Sequence, residues 1–390
     1  MKGGKTMASE TLNMRTVPLT RVTKQIKMQL AVEDYTPVIV IGKSGIGKTE
    51  SMADLARELG IGFKELRLSH YQESDLVGLP YIEGGKTKHA ETDLLPDTND
   101  KGQGILLLDE VTSSQKSMRS AVYQLMDSSR KLGQYKLPER WLIVACGNGP
   151  EDGGDFRGIE PALMSRGRCM RVEEDLDAWK NWAINKGVHP VVVAFLSFMP
   201  DNLHVMDLDR PNDMIACPRN WVKLSTQLIN MEKMTGGIVT DEDDLEFSAC
   251  SCVGERCGPN FVSFYKYNKQ VINASDILDG KVKVDSAAGM DTEVMYILVQ
   301  NLVSCIKKEL ATNKTASGFT LNAVKRVGNA TNWLIAVGRQ IRLDFAIMAF
   351  QELSANVDEF VSILVDDEFD KICPDLLEFA DENALVFSKN

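Results

Sequence analysis

Nothing in these 390 residues is long and apolar enough to cross a bilayer. The opening stretch, MKGGKTMASETLNMRT, has no apolar centre of the kind a secretory signal needs, so the chain is expected to remain in the cytoplasm. A basic excess is also missing. The 44 Lys and Arg against 55 Asp and Glu leave a net charge of -11, which is not the footprint of a dedicated duplex-DNA binder. There is no internal repeat and no low-complexity tract, which excludes solenoids and linker-like chains. The one cysteine cluster, Cys250, Cys252 and Cys257, has no histidine nearby, and its spacing fits no common zinc finger. Those thiols are expected to be structural. The remaining cysteines are scattered and read as small buried hydrophobes of a reducing compartment.

What is present describes an ordinary globular chain. Hydrophobic residues make up 44% and charged residues 25%, enough for a sizeable core. The length suits two or three domains at roughly 150 residues each. Basic residues near the start (Lys2, Lys5, Arg15, Arg21, Lys24, Lys27) and acidic ones near the end (Asp366 to Glu382) read as solvated helix faces.

Five short apolar runs alternate with helical patterns: Val38 to Ile41, Phe63 to Leu68, Ile105 to Leu108, Trp141 to Ala145 and Cys169 to Val172. Continuous apolar strands are those buried on both faces of a parallel sheet. A helix is expected after Thr112 to Ser114, which offer N-caps. Beyond Glu174 helical segments dominate: Leu176 to Asn185, Val191 to Phe198, Asn220 to Met234, Asp291 to Leu310, and one long amphipathic helix over Ala330 to Glu352. The expected fold class is α/β, a five-stranded parallel sheet forming residues 1–174. An all-α region follows over 175–280 and a helical extension over 281–390.

Chemistry is carried first by Gly42-Lys43-Ser44-Gly45-Ile46-Gly47-Lys48-Thr49, between a strand and a helix. Its glycines let successive backbone N–H groups curl around a phosphate, and the helix N-terminus adds positive potential. Lys48 is placed to hold β- and γ-phosphates, and Thr49 to ligate Mg2+. Ile105-Leu106-Leu107-Leu108 then ends in Asp109-Glu110. Asp109 suits the magnesium ion and Glu110 suits a general base for the attacking water. A third apolar strand ends in Gly147-Asn148, whose amide can bond that water or the γ-phosphate. Finally, Arg166 and Arg168 follow Pro161-Ala162-Leu163-Met164, and an arginine there can stabilise charge on a neighbouring subunit's γ-phosphate.

These four signals, in this order, resemble the AAA+ ATPases, and within them the MoxR-like branch. That branch includes short phage and bacterial members accompanying von Willebrand factor A (VWA) proteins. The resemblance spans about Thr16 to Phe264. It continues at Asp75-Leu76-Val77-Gly78-Leu79-Pro80, similar to the family's DLxG segment, and at Cys217-Pro218-Arg219-Asn220-Trp221, similar to its S-P-R lid motif with Cys for Ser. The family's GPL turn is replaced by Asp93-Leu94-Leu95-Pro96, and Tyr81 to Gly104 would be an insertion near a central pore. The resemblance implies that Arg219 acts as the sensor 2 arginine in cis. It also implies that Arg166 is the arginine finger in trans, with Arg168 the alternative. The family's usual Arg-Phe pair is Arg166-Gly167 here. Val253-Gly254-Glu255 is similar to a lid helix with a glycine close to the core.

The expected activity is ATP hydrolysis with ATP and Mg2+ bound, by subunits assembled in a ring, a hexamer in the family. The expected work is chaperone-like remodelling of a protein client, a VWA-domain protein being the candidate partner. The rival reading is a nucleic-acid machine, a helicase loader or DNA translocase. Lys86, Lys88 and His89 in the insertion speak for it and the net charge speaks against it.

Overall fold

The computed structural model describes residues 14–90, 92–149, 160–206, 213–315, 318–383 and 385. Lys2, Lys5 and most of the opening stretch lie outside the described residues. The chain divides into two compact units, residues 1–175 and 176–390.

The first unit is built on an all-parallel sheet. Its elements in order are β1 (Thr16–Pro18), α1 (Leu19–Ala31), β2 (Val38–Gly42), α2 (Lys48–Leu59), β3 (Gly62–Arg67), α3 (Glu73–Val77), β4 (Pro80–Glu83), β5 (Lys86–His89), β6 (Gly104–Asp109), α4 (Lys116–Met126), β7 (Lys131–Leu132), β8 (Tyr135–Lys136), β9 (Trp141–Gly147), α5 (Pro161–Met164) and β10 (Arg168–Glu173). The sheet has six strands in the order β1-β10-β2-β9-β6-β3. The sequence predicts five. The sixth, β1, is three residues long and pairs only with β10, too short to carry a periodic signal.

Alternate residues of the central strands face two separate cores. Ile39, Ile41, Leu106, Leu108 and Ile143 pack with Val122, Leu125 and Met126 of α4. Val38, Val40, Ile105, Leu107 and Val144 pack with Val22 and Ile26 of α1 and Met52 and Leu55 of α2. Burial on both faces explains why these strands read as unbroken apolar runs. The edge strand β3 is less apolar, and its Lys64 bonds to the carbonyls of Asp93 and Leu95, which covers part of the edge.

Helix α4 does not start on the residues expected to cap it. Its N-cap is Gln115, with no side-chain cap. The Ser114 hydroxyl instead donates to the Val111 carbonyl at 2.9 Å, and the Thr112 hydroxyl accepts from the Asn148 N–H at 3.0 Å. In the expected insertion, β4 and β5 form an antiparallel hairpin closed by Gly84-Gly85, both at positive φ as a tight primed turn demands. Tyr81 and Ile82 on it are exposed.

The second unit is helical: α6 (Leu176–Lys186), α7 (Pro190–Phe198), α8 (Pro218–Thr235), α9 (Glu242–Val253), α10 (Gly258–Tyr265), α11 (Ala274–Leu278), α12 (Thr292–Thr312), α13 (Leu321–Gln340), α14 (Leu343–Asn356), α15 (Asp358–Ile363), α16 (Asp367–Ile372) and α17 (Leu376–Glu382). One core centres on Phe195, whose ring lies 5.3 Å from Trp221 and 5.5 Å from both Phe261 and Phe264. The other gathers α11 to α17. No helix among the described residues is long and apolar enough to cross a membrane.

The long helix expected over Ala330 to Glu352 is two helices, α13 and α14. The chain leaves helical geometry at Ile341 (φ -127°, ψ -67°) and Arg342 (φ -145°, ψ 94°). Arg342 fixes the corner. Its guanidinium binds both carboxylate oxygens of Asp344 at 3.0 and 2.8 Å and lies 4.6 Å from the Phe345 ring centroid. That hydrogen bonding holds the Asp344 carboxyl below the usual range. The two helices then pack tightly: a Cβ at Gly338 would sit 2.8 Å from that of Ala346. An apolar stripe is equally compatible with one long helix or two that fold back on each other. No proline marks the break.

Cys252 and Cys257 are buried, and Cys250 packs on Gly258, where an added Cβ would meet its sulfur at 2.5 Å. Burial pushes the Cys250 and Cys257 thiols up to about 11, with Glu255 adding to the effect at Cys250. Gly254, at φ +81°, passes so close to Met214 that a Cβ would lie 2.4 Å from its carbonyl oxygen.

Candidate active site

The turn from β2 into α2 is where the glycine-rich segment lies. Gly45 and Gly47 take φ of +77° and +94°, a region favouring glycine, and α2 begins at Lys48 itself. Gly42 is required for a different reason: a Cβ there would lie 2.5 Å from the Val172 carbonyl oxygen of β10. Beside it, the Lys43 ammonium pairs with Glu174, just past the end of β10.

Lys48 is only 7% exposed. A buried ammonium needs acceptors for its protons. It donates to the carbonyls of Gly42 at 2.7 Å and Lys43 at 2.8 Å, and to Asn148 Oδ1 at 3.2 Å. The sheet order explains the third contact. Strand β9 lies between β2 and β6, so Asn148 at its end stands between the glycine-rich turn and the carboxylates. The Asn148 backbone is fixed by Thr112, and Gly147 permits this approach, since a Cβ there would meet Thr112 at 2.6 Å. One residue earlier, burial foremost and Asp109 next push the Cys146 thiol up to about 12, so it is a neutral packing group.

Thr49 Oγ1 donates to Asp109 Oδ2 at 2.8 Å, and the other Asp109 oxygen accepts the Glu110 N–H at 2.9 Å. A hydroxyl from the first turn of α2 and a carboxylate from the end of β6 are hard oxygen donors that fit a magnesium ion, with phosphate and water completing its shell. Glu110 has φ +59°, unusual for a side-chain-bearing residue and often found where function fixes the backbone. Its carboxylate lies against the end of β3 and the turn that follows. One oxygen accepts from the Ser69 hydroxyl, and the other lies 3.7 Å from Arg67 Nε.

The structure therefore brings together Gly42 to Thr49, Asp109, Glu110 and Asn148. It does not bring Arg166 or Arg168 to them. Arg166 Nε donates to Asp127 Oδ1 at 2.7 Å and its Nη1 to the Ala162 carbonyl at 2.6 Å. Arg168 Nη2 donates to Asp34 Oδ2 at 2.7 Å, an exposed pair that contributes little to stability. Arg219 is exposed in the first turn of α8, in the helical unit. In the DLxG-like segment, Asp75 accepts the Gln72 N–H at 2.8 Å in a capping box. Gly78 there, at φ +83°, leaves no room for a Cβ, which would overlap the Ala90 carbonyl oxygen at 1.8 Å.

Sequence reasoning missed Ser69 and Arg67 beside Glu110, Thr112 behind Asn148, Glu174 on Lys43, and Asp127 on Arg166. Each is an ordinary polar residue, and only the strand order and helix placement reveal its partner.

Comparison with curated proteins gives no match. Among solved structures, the chain is similar to the Thermotoga maritima RuvB Holliday junction branch migration motor, at 13% identity, covering 79% of this chain and 93% of that one, with a TM-score of 0.34. It is also similar to Hsp104 in a closed state with ATPγS and casein, at 16% identity, covering 56% of this chain and 46% of that one, with a TM-score of 0.39. Residues 37–166 match the family described as AAA domain (dynein-related subfamily). That stretch runs from the strand before the glycine-rich turn to Arg166, and the first unit has the P-loop AAA+ fold.

Proposed function

We propose that this chain is a magnesium-dependent ATPase of the MoxR-like branch, assembled as a ring and remodelling a protein client in the cytoplasm. The observation that carries the reading is the convergence of Lys48 and Thr49, at the start of α2, with Asn148 and Asp109, at the ends of the adjacent strands β9 and β6. AAA domains in general hydrolyse nucleotides, and this one retains each group the chemistry needs. Lys48 and the backbone N–H groups of Gly42 to Lys48 hold the phosphates. Thr49 and Asp109 hold magnesium, which when bound neutralises charge on the β- and γ-phosphates. Glu110 takes the proton of the attacking water, and Asn148 orients that water. Arg219 reaches the phosphates in cis. Arg166, or in its place Arg168, reaches them from the next subunit. Residues 175–280 act as the lid and 281–390 extend it.

A protein client, with a VWA-domain protein the first candidate, is favoured over nucleic acid by the net charge of -11. The hairpin offers little against that, because Lys88 is already paired with Glu83.

Calorimetry with ATP and magnesium tests the phosphate-binding assignment. Lys48→Ala is expected to abolish binding or weaken it strongly, and Thr49→Ala to weaken only the magnesium-dependent part. Equal ATP affinity in the wild type and in a folded Lys48→Ala variant would rule the assignment out.

A further inference from the structure

Helix α4 and its C-cap carry Arg119, Tyr123 and Asp127 at four-residue intervals, which places them in one row. All three engage the segment that ends in Arg166. Arg119 pairs with Glu160 at 3.3 Å, and the Tyr123 hydroxyl donates to the same carboxylate at 3.1 Å. Asp127 binds Arg166 Nε, and the Arg166 guanidinium lies 5.3 Å from the centroid of the Tyr123 ring. The Ala162 carbonyl takes Nη1. The segment is thus fastened to one helix at both of its ends.

This cradle is specific in what it occupies. Nε and Nη1 are engaged, while Nη2 makes no hydrogen bond among the described residues. The location of Asp127 is informative too. It stands at the C-terminal end of α4, where the helix dipole disfavours a carboxylate, and Arg166 supplies the compensating positive charge. A long arginine free to sample its rotamers loses that freedom whenever it engages a ligand. One already held by two hydrogen bonds and a ring has lost it beforehand.

Resting on the reading of Arg166 as the group supplied to a neighbour's nucleotide, we infer that Asp127 is a positioning residue for that reaction. Asp127 fixes Nε, the Ala162 carbonyl takes Nη1 and the Tyr123 ring lies against the guanidinium, leaving Nη2 as the donor edge for the γ-phosphate held by a second copy of this chain.

The test is steady-state ATP hydrolysis by the full chain at concentrations where assemblies form, with assembly followed by sedimentation. Asp127→Asn, which keeps size and one acceptor oxygen, is run beside Asp127→Ala. Misplacing a catalytic group by about 1 Å can cost on the order of a hundredfold, so kcat is expected to fall about tenfold or more in Asp127→Ala. KM for ATP should stay within about twofold, because only a group acting in the transition state is disturbed. In an Arg166→Ala background, Asp127→Ala should add no further loss, since the two side chains act as one unit. A wild-type rate in both Asp127 variants beside a slow Arg166→Ala overturns the inference alone. A further loss of the same size in the Arg166→Ala background overturns it as well, as does failure of both Asp127 variants to assemble. A wild-type rate in Arg166→Ala itself removes the finger reading, and the inference with it.

Discussion

Glu110→Gln is expected to bind ATP as the wild type does and to hydrolyse it at least about a hundredfold more slowly, the usual contribution of a positioned base. The geometry separates the two functions. Phosphate and magnesium are proposed to fall to Lys48, Thr49 and Asp109, whereas the Glu110 side chain touches none of them and is held by Ser69 and Arg67 on the β3 side. The glutamine amide keeps the volume and an acceptor oxygen for the Ser69 hydroxyl, so the loss would report the missing proton acceptor and not a collapsed site. Nucleotide affinity and phosphate release, measured on the same preparation, check it. Turnover at the wild-type rate would remove Glu110 from the reaction.

Arg166→Ala is expected to have an effect of comparable or greater size, because an arginine supplied from a neighbour is worth roughly 10³-fold or more in P-loop systems. Within its own chain Arg166 is bound to Asp127 and Ala162 and not to Lys48, Asp109 or Glu110. If it acts on a second copy, specific activity should rise with protein concentration as rings form. Mixing Arg166→Ala with Glu110→Gln should restore part of the activity, because some mixed interfaces then pair an intact Glu110 with an intact Arg166. Flat specific activity down to a proven monomer would contradict the shared site. So would mixing that restores nothing in rings shown to be mixed. Arg168→Ala is the companion variant. A loss confined to it would move the finger to the arginine that here pairs with Asp34.

The glycine-rich turn and the strand that ends in the carboxylate pair were legible because each depends on local chain chemistry: glycines at forced dihedrals, an apolar strand ending in polar residues. The central strands were legible because both of their faces are buried, which leaves an unbroken apolar signature in Val38 to Ile41 and Ile105 to Leu108. Strand β1 was not, since three edge residues leave no pattern. Nor was the corner at Ile341-Arg342, where Arg342 grips Asp344 two residues on and Gly338 packs against Ala346 and Phe379; an Arg-x-Asp pair marks no helix break by itself, and the packing is tertiary. The supporting groups of the site were hidden for a related reason. Arg67 meets Glu110 because β3 lies beside β6, and Asn148 meets Lys48 because β9 lies beside β2. Neither adjacency can be read from a linear chain. Thr112 was noticed as a helix cap and proved instead to hold the Asn148 backbone.

As proposed, Lys48, Thr49, Asp109 and Glu110 form a working magnesium-dependent ATP hydrolysis site. Phosphate release from ATP by the assembled, full-length chain tests it most directly, measured with magnesium and again with the metal chelated, and with Glu110→Gln as the reference. Turnover that requires magnesium and exceeds the Glu110→Gln rate by about a hundredfold or more is the predicted result. Phosphate release no faster than that of Glu110→Gln, from a wild-type preparation shown to bind ATP, would contradict it.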